Sequence, residues 1–332
     1  MNYITYHIYL QYFIVCEGLE ELTMETSTEI SSKFWNLPQK AVEEVNRETL
    51  FIDDIISKNH IEKELLNNIN NIRTVFDGGA GYGRFSILLA QRGLKVTHFD
   101  ISLPMIEKAK EIAREKGVYD NMNFIHGELE NLDRFDDKEF DLVISFDSPV
   151  SYTYPRHRET IENLIRICSK RLIISVYSRP AWTYLFDPAQ KYKYILDGDS
   201  GNSMVRWNVD KGIKMLKDYK PKMADVINFY KSGLMEKYEA TAQRFADGET
   251  PWPVSYAFMP DELKEILENK GLKNIKFAGP GALSRSIPGE VLLNIMKDEK
   301  LKNEFLEFCY EYDSQVWVAG MGKDNILVNA EI

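Results

Sequence analysis

Two periods of apolar residues alternate along the chain. Short apolar runs, read as strands, end at Asp77, at Asp100 (Lys95–Phe99 then Asp100), at His126 (Asn123–His126), at Phe146 (Phe140–Phe146) and at Tyr177 (Arg171–Tyr177). Between them, apolar residues recur at helical spacing in Phe85–Ala90, Pro104–Lys116 and Glu159–Ser169. Strands alternating with helices predict βαβ crossovers and a parallel sheet with helices on both faces. Phe140–Phe146 is nearly continuous in apolar residues, as expected of a strand buried on both faces. Ala41–Leu50 and Phe51–Ile69 read as amphipathic helices ahead of the first strand, with Pro38 at their entry. Toward the C-terminus, Pro260–Gly271 reads as a helix with a glycine stop, and Leu272–Ala278 as a sixth strand. Helices over Glu290–Met296 and Leu301–Tyr312 and a last strand at Asn325–Ala330 complete the pattern.

The segment joining the first strand to the first crossover helix carries the most chemistry. It reads Val75-Phe76-Asp77-Gly78-Gly79-Ala80-Gly81-Tyr82-Gly83-Arg84-Phe85. Glycine lets a turn take positive φ or lets a ligand lie against bare main chain. In open α/β sheets such turns sit at the crevice outside the carboxyl ends of the strands, where nucleotide-like ligands bind. A dinucleotide fingerprint requires G-x-G-x-x-G, but counting from Gly79 the sixth place is Arg84. The pattern present is D-x-G-x-G-x-G.

In that form the segment resembles the first motif of the class I S-adenosylmethionine-dependent methyltransferases, and the resemblance extends over residues 73–180. It implies a doubly wound, seven-stranded, mostly parallel sheet of Rossmann-like methyltransferase type, in spatial order 3-2-1-4-5-7-6 with an antiparallel last strand. It also implies S-adenosyl-L-methionine as cofactor and a small-molecule methyl acceptor. Asp77, Gly79, Gly81, Gly83 and Arg84 fall in the turn that passes the methionine part of the cofactor. Asp100, about twenty residues on, is placed to accept both ribose hydroxyls; as a helix N-cap it has a second reading, shared with Ser102. Ile101 and Met105 follow it. Gly127-Glu128-Leu129 matches the place where the family has a glycine, an acid and a hydrophobic residue, with Glu128 and Leu129 facing adenine. The family more often has Asp there. Phe146 closes the fourth strand beside the cofactor.

Candidate catalytic residues follow the fourth strand: Asp147, Tyr152 and His157, with Tyr154 alongside. A base is needed only where the acceptor arrives protonated, and His157, with an ordinary pKa near 6.5, can supply one. Asp147-Ser148-Pro149-Val150 partly resembles the D-P-P-Y loop of amino-methylating nucleic-acid enzymes. Ser148 and Val150 depart from it, and the stacking aromatic is missing.

Composition narrows the partners. The 332 residues carry 41 basic and 51 acidic side chains, a net charge of −10. That balance disfavours a nucleic-acid substrate, whose binding draws on phosphate neutralisation. Three scattered cysteines, Cys16, Cys168 and Cys309, and five histidines without ligand spacing indicate a reduced, cytoplasmic setting and no metal. Cys168 is read on an apolar helical face. Residues 1–23 are tyrosine-rich, lack the features of a secretion signal and are too short and polar to span a bilayer; an added start or a homodimer contact both accommodate them.

The expected organisation is an N-terminal extension (1–30), a helical cap (31–72), the cofactor-binding core (73–179), a helical insertion acting as substrate lid (180–255), and a C-terminal part of the core with a second insertion (256–332). Phe34, Trp35 and Arg47 of the cap, and the aromatic loop Arg179–Pro188, are candidate lid contacts. The alternatives are a peptide or protein methyltransferase, a non-catalytic cofactor-binding scaffold, and a nicotinamide oxidoreductase, the last disfavoured by Arg84.

Overall fold

A seven-stranded sheet in the order β3-β2-β1-β4-β5-β9-β8 organises the chain, seen in a computed structural model that describes residues 27–50, 52–181, 223–235 and 253–332. Its strands are β1 (Thr74–Gly78), β2 (Lys95–Asp100), β3 (Met122–His126), β4 (Phe140–Ser145), β5 (Cys168–Tyr177), β8 (Lys273–Ala278) and β9 (Asn325–Glu331). The first five pair in parallel, and β9 runs antiparallel to both β5 and β8. The expected order with an inverted last strand is therefore the observed one. Two further short strands, β6 (Leu234–Met235) and β7 (Ser255–Tyr256), pair separately.

Alternation within the central strands produces the double winding. Phe76, Val143, Leu172, Ile174, Ile326 and Val328 join one apolar cluster with Ile161, Leu164, Leu263 and Leu267. Their neighbours Val75, Leu142, Ile144, Ile173 and Leu327 join another with Ile61, Leu65, Phe85 and Leu89. Successive side chains of a strand point to opposite faces, so both faces need a helical layer. Helices α6 (His157–Arg166) and α8 (Pro260–Asn269) cover one face; α3 (Ile52–Asn67), α4 (Arg84–Gln91) and α5 (Leu103–Glu115) cover the other. Outside this sandwich, α9 (Gly289–Lys297) and α10 (Glu299–Asp313) pack on α3 through Ile52, Ile56, Leu292, Phe305 and Cys309. The N-terminal helices are α1 (Ser27–Trp35) and α2 (Pro38–Leu50), and α7 is Met223–Ser232.

One sequence expectation is corrected here. Cys168 does not sit on a helical face: α6 ends at Arg166, and Cys168 is the first residue of β5, paired with Phe140 across an irregularity in register. Its buried Sγ donates to the Arg171 carbonyl at 2.9 Å. The apolar spacing of the helix runs on through the turn, which hides the change of element. Residues 1–26, most of the 180–255 insertion, and Trp182–Pro188 of its aromatic loop lie outside the described residues. No helix among the described residues is long and apolar enough to cross a membrane.

Candidate active site

The carboxyl ends of β1, β2, β3 and β4 open into one cavity, roofed by α1 and α3 and holding about 1040 Å³ of atom-free space with its open mouth included. Its floor is the turn after β1. The N–H groups of Gly79 and Ala80 both donate to the Phe99 carbonyl, at 2.8 and 3.2 Å, which folds the turn over the end of β2. Gly81 has φ of +55° and open space where a Cβ would stand. Bare main chain there faces the cavity, as a closely approaching ligand requires. Gly79 is glycine for a different reason: a Cβ at its φ of +71° would overlap the Pro149 ring.

Asp100 is buried at the end of β2. Its Oδ2 accepts from the Gly81 N–H at 2.7 Å and its Oδ1 from the Ser102 N–H at 2.8 Å. Burial raises its pKa, opposed by those hydrogen bonds. An ionised carboxylate has about four acceptor sites, so two remain for hydroxyls. The cap of α5 is Ser102, whose Oγ accepts from Met105 N and donates to the Trp35 carbonyl at 2.7 Å. Asn36 adds a second tie, accepting from Leu103 N at 3.0 Å and donating to the Ile101 carbonyl at 3.3 Å. These bonds hold the end of α1 over the β2 loop.

Beneath the turn, Asp77 is buried and accepts from Ser86 Oγ at 2.6 Å; Ser86 Oγ in turn lies 3.1 Å from His98 Nδ1. Burial pushes the Asp77 carboxyl up to about 7, helped by the charges of Asp100 and Asp147. Burial also pushes His98 down to about 3, so the imidazole is neutral. With the Ser86 hydrogen directed at Asp77, the ring presents its Nδ1–H to Ser86.

At the β4 side, Asp147 and Ser148 both have positive φ, 61° and 67°. The Asp147 N–H donates to Ser175 Oγ at 3.0 Å, and its carboxylate accepts from the Lys58 ammonium of α3 at 2.7 Å. Lys58 is buried (8% exposed) while Asp147, recessed but facing the cavity, is 49% exposed. Recession from bulk water favours the neutral acid, but the Lys58 ammonium, with Lys323 behind it, outweighs that and holds the carboxyl below its ordinary range.

Of the residues expected in the site, Asp77, Gly79, Gly81, Arg84, Asp100, Ile101, Met105, Leu129, Phe146, Asp147 and Tyr152 line the cavity. Gly83 does not; a Cβ there would press on Ala109 of α5. Glu128 is exposed and lines an adjoining hollow with His126, Asn131 and Arg134, and Phe99, Ile101 and Gly127 border both spaces. The acid after β3 that lines the main cavity is Glu130, buried and accepting from Thr28 of α1. His157 lies apart, stacked on Tyr256 at 4.1 Å and Tyr154 at 5.6 Å. Its two ring nitrogens lack partners, and burial pushes its pKa down to about 4. Trp35 lines the cavity and meets Tyr152 edge-on at 6.0 Å, whereas Phe34 is fully buried; the Arg47 side chain is outside the described residues. Sequence reading missed Lys58, Ser31, Glu44 and Glu130, because only tertiary contact brings them to the motif. Glu130 alone had a local signal, standing two places after the expected acid. Among the described residues no cluster of His, Cys, Asp and Glu is arranged to hold a metal.

Residues 75–171 match the family described as methyltransferase domain. Over those residues the chain carries a methyltransferase domain. The chain is similar to tRNA 5-carboxymethoxyuridine methyltransferase of Escherichia coli, with 40% identity over 70 residues covering 21% of this chain and 27% of that protein. It is also similar to magnesium-protoporphyrin O-methyltransferase of Synechocystis sp., with 34% identity over 102 residues, 30% of this chain and 43% of that one. It thus spans less than half the length of these curated relatives. Among solved structures, Haemonchus contortus phospholethanolamine N-methyltransferase 2 is 13% identical over 93% of this chain and 60% of its own, with a TM-score of 0.49. A methyltransferase of Methanosarcina mazei is 16% identical over 80% and 95%, with a TM-score of 0.44. S-adenosylmethionine suits what the cavity offers: open main chain at Gly81 and a carboxylate at Asp100 with acceptor sites to spare.

Proposed function

We propose that this protein transfers a methyl group from S-adenosylmethionine to a small-molecule acceptor. The observation that carries this reading is the row of groups along the sheet edge. Glu130 follows β3, Asp100 ends β2, Gly81 follows β1 and Asp147 follows β4, all lining the cavity in the spatial order β3-β2-β1-β4. An extended nucleoside laid across those ends meets an acid for the base, a carboxylate for the ribose and bare backbone for the tail. When bound, the cofactor supplies an activated methyl on a good leaving group, so the protein's main task is alignment of the acceptor.

The chain's own residues support positioning over proton abstraction. Asp147, paired with Lys58, is a weak base, and His157 stands outside the cavity. Trp35 and Tyr152 form an aromatic wall, and Tyr152 meets the Tyr177 hydroxyl behind it. A wall of that kind suits an apolar or aromatic acceptor already carrying its nucleophilic lone pair. Residues 31–72 serve as cap and the 180–255 insertion as lid in this reading, with net charge −10 arguing against a nucleic-acid acceptor.

Titration calorimetry with S-adenosylhomocysteine and NADH tests the cofactor, and transfer of labelled methyl across an acceptor panel tests the substrate class. Binding of NADH instead of the thioether nucleoside would refute the reading. Methylation of RNA or of a peptide in place of small molecules would refute the acceptor half alone.

A further inference from the structure

Among the described residues, the cavity is lined by more negative charge than positive. Glu44, Asp100, Glu130 and Asp147 stand against Lys58 and Arg84, four carboxylates to two cations, and Asp77 adds a fifth as pH passes about 7. Both cations are already matched, Lys58 with Asp147 and Arg84 with Glu62, an acid outside the lining. Asp77, Asp100 and Glu130 are held instead by neutral donors: Ser86, the N–H groups of Gly81 and Ser102, and Thr28. Buried carboxylates are costly without a cation, so this space favours contents that carry positive charge.

Helix α1 turns one face into the same cavity. Thr28, Ser31 and Trp35 all line it, at the three- and four-residue spacing that puts side chains on one helix face. Ser31 is 5% exposed, and among the described residues its Oγ has no hydrogen-bond partner. A buried hydroxyl in that condition is costly, and a polar atom of a ligand would supply what it lacks. One turn on, Trp35 meets Tyr152 edge-on in the aromatic wall. A flat ring against that wall, with a heteroatom turned to Ser31, satisfies both.

Charge conservation then separates the acceptor classes. Methylation of a carboxylate or phenolate oxygen cancels the sulfonium charge, so both products are neutral and the cavity's carboxylates lose their counter-charge. An alcohol or an ammonium must first give up a proton. The two candidates for taking it are a carboxylate tied to Lys58 and a histidine outside the cavity. A pyridine-type ring nitrogen carries its lone pair in the neutral form. That pair forms the nitrogen–carbon bond as the carbon–sulfur bond breaks and leaves its electrons on sulfur. The positive charge passes to nitrogen, and no proton is released.

We infer that the methyl acceptor is a neutral heteroaromatic compound whose ring nitrogen becomes a permanent cation. The inference rests on the methyltransferase reading above. Trp35 and Tyr152 serve the flat ring of the substrate and the cation of the product alike, since aromatic faces attract cations. The excess carboxylates keep their counter-charge from start to finish.

Calorimetry on the protein saturated with S-adenosylhomocysteine tests this with three probes of one shape: N-methylquinolinium, quinoline and 2-naphthoate, a cation, a neutral base and an anion. N-methylquinolinium should bind about ten-fold or more tighter than 2-naphthoate. Glu44→Gln should cut that preference about three-fold while keeping quinoline within about two-fold of wild type. Ser31→Ala should weaken quinoline about five-fold, the effect of one neutral hydrogen bond. S-adenosylhomocysteine affinity within about two-fold of wild type certifies the fold of each variant. Equal affinity for cation and anion, tighter binding of the anion, or no binding of any probe overturns the inference and leaves the cofactor reading standing. Wild-type protein that does not bind S-adenosylhomocysteine overturns both.

Discussion

The N–H of Gly81 donates to Oδ2 of Asp100 at 2.7 Å, tying the glycine turn after β1 to the end of β2. Nineteen positions separate the two residues, and each sets the other. The carboxylate anchors the turn to β2, and the Gly81 N–H fixes one of its oxygens. Asp100 is thereby oriented before any ligand arrives, with Ser102 N–H holding its other oxygen.

Replacement Asp100→Ala should therefore weaken adenosyl binding by about 1–3 kcal/mol, the range for losing hydrogen bonds to a charged group. Calorimetry with S-adenosylhomocysteine measures it. An affinity equal to wild type would remove Asp100 from the binding site.

Gly79 answers to packing against its own chain. Gly79→Ala should destabilise the fold by about 2–4 kcal/mol, from positive-φ strain and overlap with Pro149. Adding Pro149→Gly, which removes both the Cβ and the Cγ that a Cβ at position 79 would meet, should recover the overlap part and leave the strain. Urea midpoints of the single and double variants report the two contributions, and additive losses would contradict the overlap.

Asp77 links stability to pH. Its folded pKa of about 7 lies above the ordinary 3.8, so the native state holds a proton that the unfolded chain releases earlier. The stabilisation is complete below about pH 4 and is lost as pH rises toward 7. Asp77→Asn keeps an acceptor for Ser86 and removes that dependence. We expect the variant to gain on wild type between pH 5 and pH 8, by up to ~4 kcal/mol. A wild-type-minus-variant difference that stays flat across that range would place the charge elsewhere.

His157 contributes packing. Its pKa of about 4 lies below the ordinary 6.5, so its share of stability is present above 6.5 and is lost as pH falls toward 4. His157→Phe, which keeps the stack between Tyr154 and Tyr256, should leave the pH–rate profile of methyl transfer unshifted. A lost inflection near neutrality in that variant would restore His157 as the base.

Local pattern was enough for the sheet and for bringing the glycine turn and Asp100 to one cavity. Alternating Leu142-Val143-Ile144 and Leu172-Ile173-Ile174 demand helices on both faces. The turn at Gly79 and Gly81 with an acid at Asp100 is written within some twenty residues, because strand, turn and helix are contiguous. Where two elements meet without a break in apolar spacing, as at Ile167-Cys168, the boundary was not legible. Nor was Lys58, which lies 89 positions from Asp147, nor the choice between Glu128 and Glu130, nor the distance of His157 from the cavity. Those depend on how α1, α3 and the loop after β4 close over the sheet edge. Backbone propensity acts over a few residues, whereas burial and ion pairing are decided by whatever side chains the finished packing brings within reach.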